Sequence, residues 1–188
     1  MITKMSRSSM NTKSWYRSML AGNDAYSPGA YELISTVTVS GGSPTLIDFT
    51  SIPQTYKHLQ VRMTARTDRA ATSDQIFFPQ AARVHFLLGN GSAVSSGTDA
   101  STQLIGNVPG NTATANTFAS MVVDIFDYTS TTNNKTIRAL FGSSSSVNEV
   151  RLTSGIIVST AALTSFKMYP NFGSLVNGTR ASLYGIKG

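Results

Sequence analysis

No cysteine occurs in the 188 residues, which excludes a disulfide framework and any thiolate-bound metal and leaves the redox compartment open. Charged residues make up only 13% of the chain, against roughly 25% in ordinary soluble domains. Its loops are therefore built from Ser, Thr, Asn and Gly. Histidine occurs only at His58 and His85, with no H-x-H, H-E-x-x-H or Asp-rich loop around either, so no metal or other cofactor is expected. The many serines lack a G-x-S-x-G or other nucleophile motif, and no catalytic residue is nominated. No apolar run approaches the ~20 residues of a membrane span. None of about seven to fifteen residues follows Lys4 and Arg7, so neither membrane insertion nor a secretory signal is expected.

The charge that is present is unevenly placed. Half of the formal +6 lies in residues 1–28, where Lys4, Arg7, Lys13 and Arg17 face only Asp24. The other cations are scattered without an aromatic-interleaved basic run, so nucleic acid is not an expected partner despite the pI of 9.8. Asn11 is placed to cap a short helix in which Trp15 and Met19 lie four apart, Tyr16 and Leu20 sit beside them and Gly22 ends the run. A helix of about three turns is marginal alone in water. The expectation is a docking arm, residues 1–28, ordered when Trp15, Tyr16, Met19 and Leu20 enter an apolar groove on a partner. Arg7, Lys13 and Arg17, with Lys4, would meet acidic groups there. Residues 23–29, containing Ser27, Pro28 and Gly29, make the hinge to a single domain, residues 29–188. A domain of that length buries about 70% of its unfolded surface.

From Tyr31 onward the apolar period is two. Strands are predicted over residues 31–39, 45–49, 57–66, 83–88, 117–128, 135–141, 149–158, 163–169 and 179–187. Gly41, Gly42, Pro44, Asn133, Asn134, Pro170, Asn171, Asn177 and Gly178 supply turns between them. Within residues 57–66, Leu59, Val61, Met63 and Ala65 alternate with His58, Gln60, Arg62, Thr64 and Arg66, the pattern of a strand with one polar face. Residues 117–128 carry apolar side chains on both faces, as a central strand does, and a bulge is expected near Ser154 and Gly155. Residues 89–115 read as one long polar loop. Phe77, Phe78, Phe118, Phe126, Phe141 and Phe166 are the candidate core aromatics, with Tyr184 packing beside them. The fold class is all-β: an antiparallel, jelly-roll-like β-sandwich of eight or nine strands behind a basic arm with a short helix.

Few side chains invite chemistry. His58, Arg62, Arg66 and Arg69 are candidates for contacts between subunits, with a local surface ion pair the simpler reading of residues 66–69. Asp124 and Asp127 could suggest a glycosidase pair, but three residues apart on a strand they point to opposite faces. Asp124 is better explained by pairing with Arg138 or Arg62, and Asp127 as a strand-end turn residue. Any glycan contact is expected from the polar loops at residues 99–115 or 143–148.

Three segments resemble a family of tailed-bacteriophage virion proteins, commonly tail fibre or structural components. The first is F-x-x-I-P-x-T-Y-x-H-L-x-x-R, formed by Phe49, Ile52, Pro53, Thr55, Tyr56, His58, Leu59 and Arg62. The second joins Asp124-Ile125-Phe126-Asp127-Tyr128 to Lys135-Thr136-Ile137-Arg138, and the third is the closing Ser182-Leu183-Tyr184-Gly185-Ile186-Lys187-Gly188. The resemblance runs in matching order from about Tyr31 to the end and leaves the arm outside it. It departs at residues 83–115, where Asn90-Gly91-Ser92 stands in place of the family's Asn-Gly-Asp-Thr-Gly turn. The resemblance implies a jelly-roll subunit that assembles as a homotrimer in the virion, and it brings no active site. It points first to a short tail fibre or adhesin that meets host-surface glycan while its arm docks to other virion proteins. A head decoration protein and a carbohydrate-active tailspike enzyme are the alternatives.

Overall fold

A computed structural model of the chain describes residues 30–99, 103–144 and 148–188. The chain divides into two units, Met1–Ala30 and Tyr31–Gly188. The helix expected from Asn11 and the docking residues Arg7, Lys13, Trp15, Tyr16, Arg17, Met19 and Leu20 lie outside the described residues.

Every regular element among the described residues is a strand. In chain order they are β1 (Tyr31–Thr38), β2 (Ile47–Phe49), β3 (His58–Ala65), β4 (Ser73–Phe77), β5 (Ala82–Gly89) and β6 (Val94–Asp99). These are followed by β7 (Leu104–Pro109), β8 (Ala119–Phe126), β9 (Lys135–Ser143), β10 (Glu149–Ile157), β11 (Phe166–Pro170) and β12 (Arg180–Ile186). They form two antiparallel sheets, one of eight strands in the order β1-β12-β3-β8-β9-β10-β5-β6, the other of four in the order β2-β11-β4-β7.

Alternation along the strands builds the core. In β3, Leu59, Val61, Met63 and Ala65 are buried, and across the ladder they meet Ile125, Val123, Met121 and Ala119 of β8. In β9 the buried set is Lys135, Ile137, Ala139 and Phe141, with Thr136, Arg138 and Leu140 on the other face. The small sheet contributes Ile47, Phe49, Ile76, Val108, Phe166 and Met168 to the same hydrophobic cluster. Phe166 lies 5.2 Å from both Phe49 and Phe78, tying β11 to β2 and to the end of β4. Gly106 in β7 is required by this closeness: a Cβ there would sit 2.6 Å from Met121 Cε and 3.0 Å from the Phe141 side chain.

Several expectations are corrected by these observations. There are twelve strands among the described residues instead of eight or nine, because β4, β6 and β7 carry weak β signals. β6 reads Val-Ser-Ser-Gly-Thr-Asp and gains its strand form from pairing with β5, not from propensity. β7 holds Gly106 and Pro109, and Pro109 is tolerated because β7 is an edge strand. The long loop expected at residues 89–115 is therefore a crossing from one sheet to the other. Among the phenylalanines, Phe78, Phe141 and Phe166 are fully buried, whereas Phe77 and Phe126 are half-buried and Phe118 is exposed. Phe126 follows inward-facing Ile125 and so must face outward. Tyr184 likewise lies on the outer face and not in the core. The bulge expected in β10 at Ser154 and Gly155 lies instead in the facing strand β5: Ser154 pairs with His85 and Ile156 with Ala82, leaving the extra residue beside Arg83, which takes a positive φ of 49°, while β10 runs unbroken against β9.

Candidate functional site

The segments that carry the family resemblance meet along one flank of the eight-stranded sheet. Tyr128, fully buried just after β8, donates its hydroxyl to the Pro53 carbonyl and accepts the Tyr56 N–H at 3.4 Å. Burial raises its pKa above the ordinary tyrosine range. The Tyr56 ring lies directly over Gly185, where any side chain would run into it, and the Lys57 N–H donates to the Ile186 carbonyl at 2.8 Å. Lys187 reaches Glu32 of β1 at 2.9 Å, and this bond holds the Glu32 carboxyl below its usual range. Burial and the neighbouring Glu32 carboxylate raise Tyr56. Residues far apart in sequence thus lock one another.

On the outer face of the same strands the polar side chains form a continuous run. The Arg62 guanidinium sits between two rings, 5.0 Å from the centre of Tyr31 and 4.9 Å from that of Tyr184. Its Nε donates to Gln60 Oε1 at 2.8 Å, and Gln60 Nε2 donates to Asp124 Oδ1 at 2.8 Å. Arg138 donates to Asp124 Oδ2 at 2.8 Å and lies 5.5 Å from the centre of Phe126. His58 Nδ1 accepts the Asp127 N–H at 3.0 Å while its ring meets Phe126 edge-on at 5.3 Å. Asp127 Oδ1 reaches Lys57 at 3.3 Å. At exposed positions each cation–π contact contributes about 0.5–1 kcal/mol.

Of the four residues nominated for subunit contacts, His58 and Arg62 share this surface, but Arg66 and Arg69 do not. They follow the far end of β3. Arg66 is buried, its guanidinium donating to the carbonyls of Asn111, Ala113, Thr114 and Thr117 at 2.7–3.3 Å. It holds a loop of its own chain instead of projecting from the surface as expected. Arg69 lies 4.0 Å over the Phe172 ring, donates to the Ser73 carbonyl and approaches Asp74 at 3.7 Å. Asp74, fully buried, accepts the N–H groups of Gln75 and Gly173 at 2.8 Å.

Lys135 has a comparable part that was not foreseen. Its buried ammonium donates to the carbonyls of Ser130, Asn133 and Ser159 at 2.7, 3.2 and 3.0 Å. The available signal was its alternation with Ile137 and Ala139, which turns it inward. Asp124 pairs with Arg138, one of its two expected partners, while Asp127 occupies a turn at positive φ of 50° and faces Lys57 and His58. The two carboxylates are thus held by different cations. Among the described residues no group of three or more His, Asp or Glu is arranged to hold a metal. The surface offers stacked rings, a guanidinium and amide groups, which is chemistry for recognition and for fixing strands. Searches of protein-family models, of curated proteins and of solved structures found no match to this chain.

Proposed function

We propose that the chain is a structural subunit of a tailed-bacteriophage particle, a short tail fibre or adhesin. In this reading the β domain is a jelly-roll sandwich, three copies associate, and residues 1–28 dock them to other virion proteins. The domain then presents its polar loops to glycan on the host surface. The observation that supports it best is the interlocking of the segments that resemble such proteins: Pro53 and Tyr56 with Tyr128, Tyr56 with Gly185, and Arg62 with Tyr184. Residues that resemble the family in matching order also depend on one another in space, as the parts of one domain do. No chemistry is assigned to them.

A density map of the assembled particle, with copies counted, tests this reading. A few copies at the tail support it. Hundreds over the head would make the chain a decoration protein, and absence from the particle would overturn both. Within a tail, Trp15→Ala should lower incorporation at least tenfold while the β domain still folds, and unchanged incorporation would contradict docking by the arm.

A further inference from the structure

The outer face of the eight-stranded sheet changes character beyond β8. The β-ladders place Val122, Leu140, Leu152 and Leu87 directly opposite one another on β8, β9, β10 and β5. One step along the strands, Gly142, Val150, Gly89 and Val94 form a second row, reaching the sheet edge on β6. Leu140, Leu152, Leu87, Val150 and Val94 are 52, 43, 51, 60 and 76% exposed. In β8, β9, β10 and β5 the opposite face supplies the buried residues, among them Val123, Ala139, Ile157 and Val84.

We infer that this face is where a second copy of the chain packs, an inference that rests on the reading of the protein as a homo-oligomer subunit. Size is the first argument. With strands about 4.8 Å apart and side chains repeating about every 7 Å along a strand, the two rows cover several hundred Å2. That is enough for the apolar centre of an interface of about 800 Å2 per partner. Charge is the second argument. Among the described residues, Arg138 on this face is paired with Asp124 at 2.8 Å, and the other exposed cation of these strands, Arg83, sits at the bulge of β5, at the end of that strand away from Leu87 and Gly89. The neighbouring polar side chains include Ser96, Thr98, Ser154 and His85, and His85 meets Thr98 at 2.9 Å. The two rows themselves, Val122, Leu140, Leu152 and Leu87 with Gly142, Val150, Gly89 and Val94, carry no charged side chain for nucleic acid or an acidic surface to meet. Around the threefold axis of a trimer each copy turns this face toward its neighbours, so that one apolar surface meets another of the same character near the axis. The two glycines leave the second row low on both sides of Val150, with Val94 beside Gly89 at the sheet edge, so a facing side chain can occupy the shallow positions.

The absence of cysteine makes the test direct. In the full chain, Leu152→Cys gives a single thiol on this face, and Thr64→Cys gives one on the outer face of β3. A bismaleimide should join two copies through position 152 at least tenfold faster than through position 64. Leu140→Glu with Leu152→Glu should shift the sedimenting species from oligomer to monomer, with an unchanged circular dichroism spectrum showing that the sheets persist. An oligomer that survives both Glu substitutions and cross-links no faster at 152 overturns the inference and leaves the oligomer reading standing. A wild-type chain that sediments as a monomer overturns the two together. A monomer that floats with phosphatidylcholine vesicles assigns the face to lipid and equally overturns the inference.

Discussion

The two halves of the outer face of the eight-stranded sheet share one backbone ladder and solve opposite problems. Over β1, β12, β3 and β8 the large polar and aromatic side chains have partners within the chain: Tyr31, Arg62 and Tyr184 stack, Gln60 bridges Arg62 to Asp124, and Lys187 meets Glu32, while a single large aliphatic, Leu33 on edge strand β1, stands exposed among the described residues. Over β9, β10, β5 and β6 the aliphatic side chains of Leu140, Leu152, Leu87, Val150 and Val94 stand exposed. The first half is tied largely by contacts within its own chain, and the second presents rows of aliphatic side chains that association would cover. Arg62, Tyr184, Asp124 and Arg138 are thus already engaged in contacts within the chain. A partner surface is better sought where such contacts are sparse.

The comparison can be broken or sharpened by substitution. The largest effect is expected inside the sheet: Phe141→Ala removes a fully buried ring and should cost about 3–5 kcal/mol in denaturant unfolding. Its outward neighbour, Leu140→Ala, should change the stability of the monomer by no more than about 0.5 kcal/mol. Equal losses at the two positions would erase the distinction between inner and outer faces on which the second half is defined.

Tyr128→Phe comes next. It leaves the Pro53 carbonyl and the Tyr56 N–H without their buried partner and should cost about 1–3 kcal/mol. It also carries a pH signature. Because the folded-state pKa of Tyr128 is raised, its contribution to stability is fully present below the ordinary tyrosine pKa of about 10 and is lost as pH rises through the folded-state value. Tyr56 is raised in the same direction. Unfolding midpoints should therefore fall above about pH 10 in the wild type, and less steeply in Tyr128→Phe. Parallel pH profiles would contradict this account of the buried hydroxyl.

Arg62→Ala should have a smaller effect, about 1–2 kcal/mol for two exposed cation–π contacts. Arg62→Met, which keeps the stem without the charge, should recover only part of it. Full recovery would mean that packing, not the cation between the rings, closes this half of the face.

Much of the scaffold was legible in the chain because it rests on local period. The alternation of Leu59, Val61, Met63 and Ala65 placed β3, and apolar residues on both faces placed β8 near the middle of the sheet, whereas the bulge expected in β10 falls on the facing strand β5. β6 and β7 were hidden because Ser95, Ser96, Gly97 and Gly106 are poor strand formers that only a neighbouring strand makes extended. Arg66 could not be read as buried, since the carbonyls that receive it lie 45–51 residues along the chain. The exposed apolar rows were hidden for a related reason. Leu87, Leu140 and Leu152 become neighbours only through the registers of three strands, and each alone looks like an ordinary strand residue.

Oxidative footprinting of the purified full chain across a range of concentrations tests the division of the outer face most directly. Labelling of Leu87, Leu140 and Leu152 should fall as the chain is concentrated, while labelling of Tyr31 and Tyr184 stays constant. Constant labelling of the three leucines, or a fall confined to the tyrosines, would contradict it.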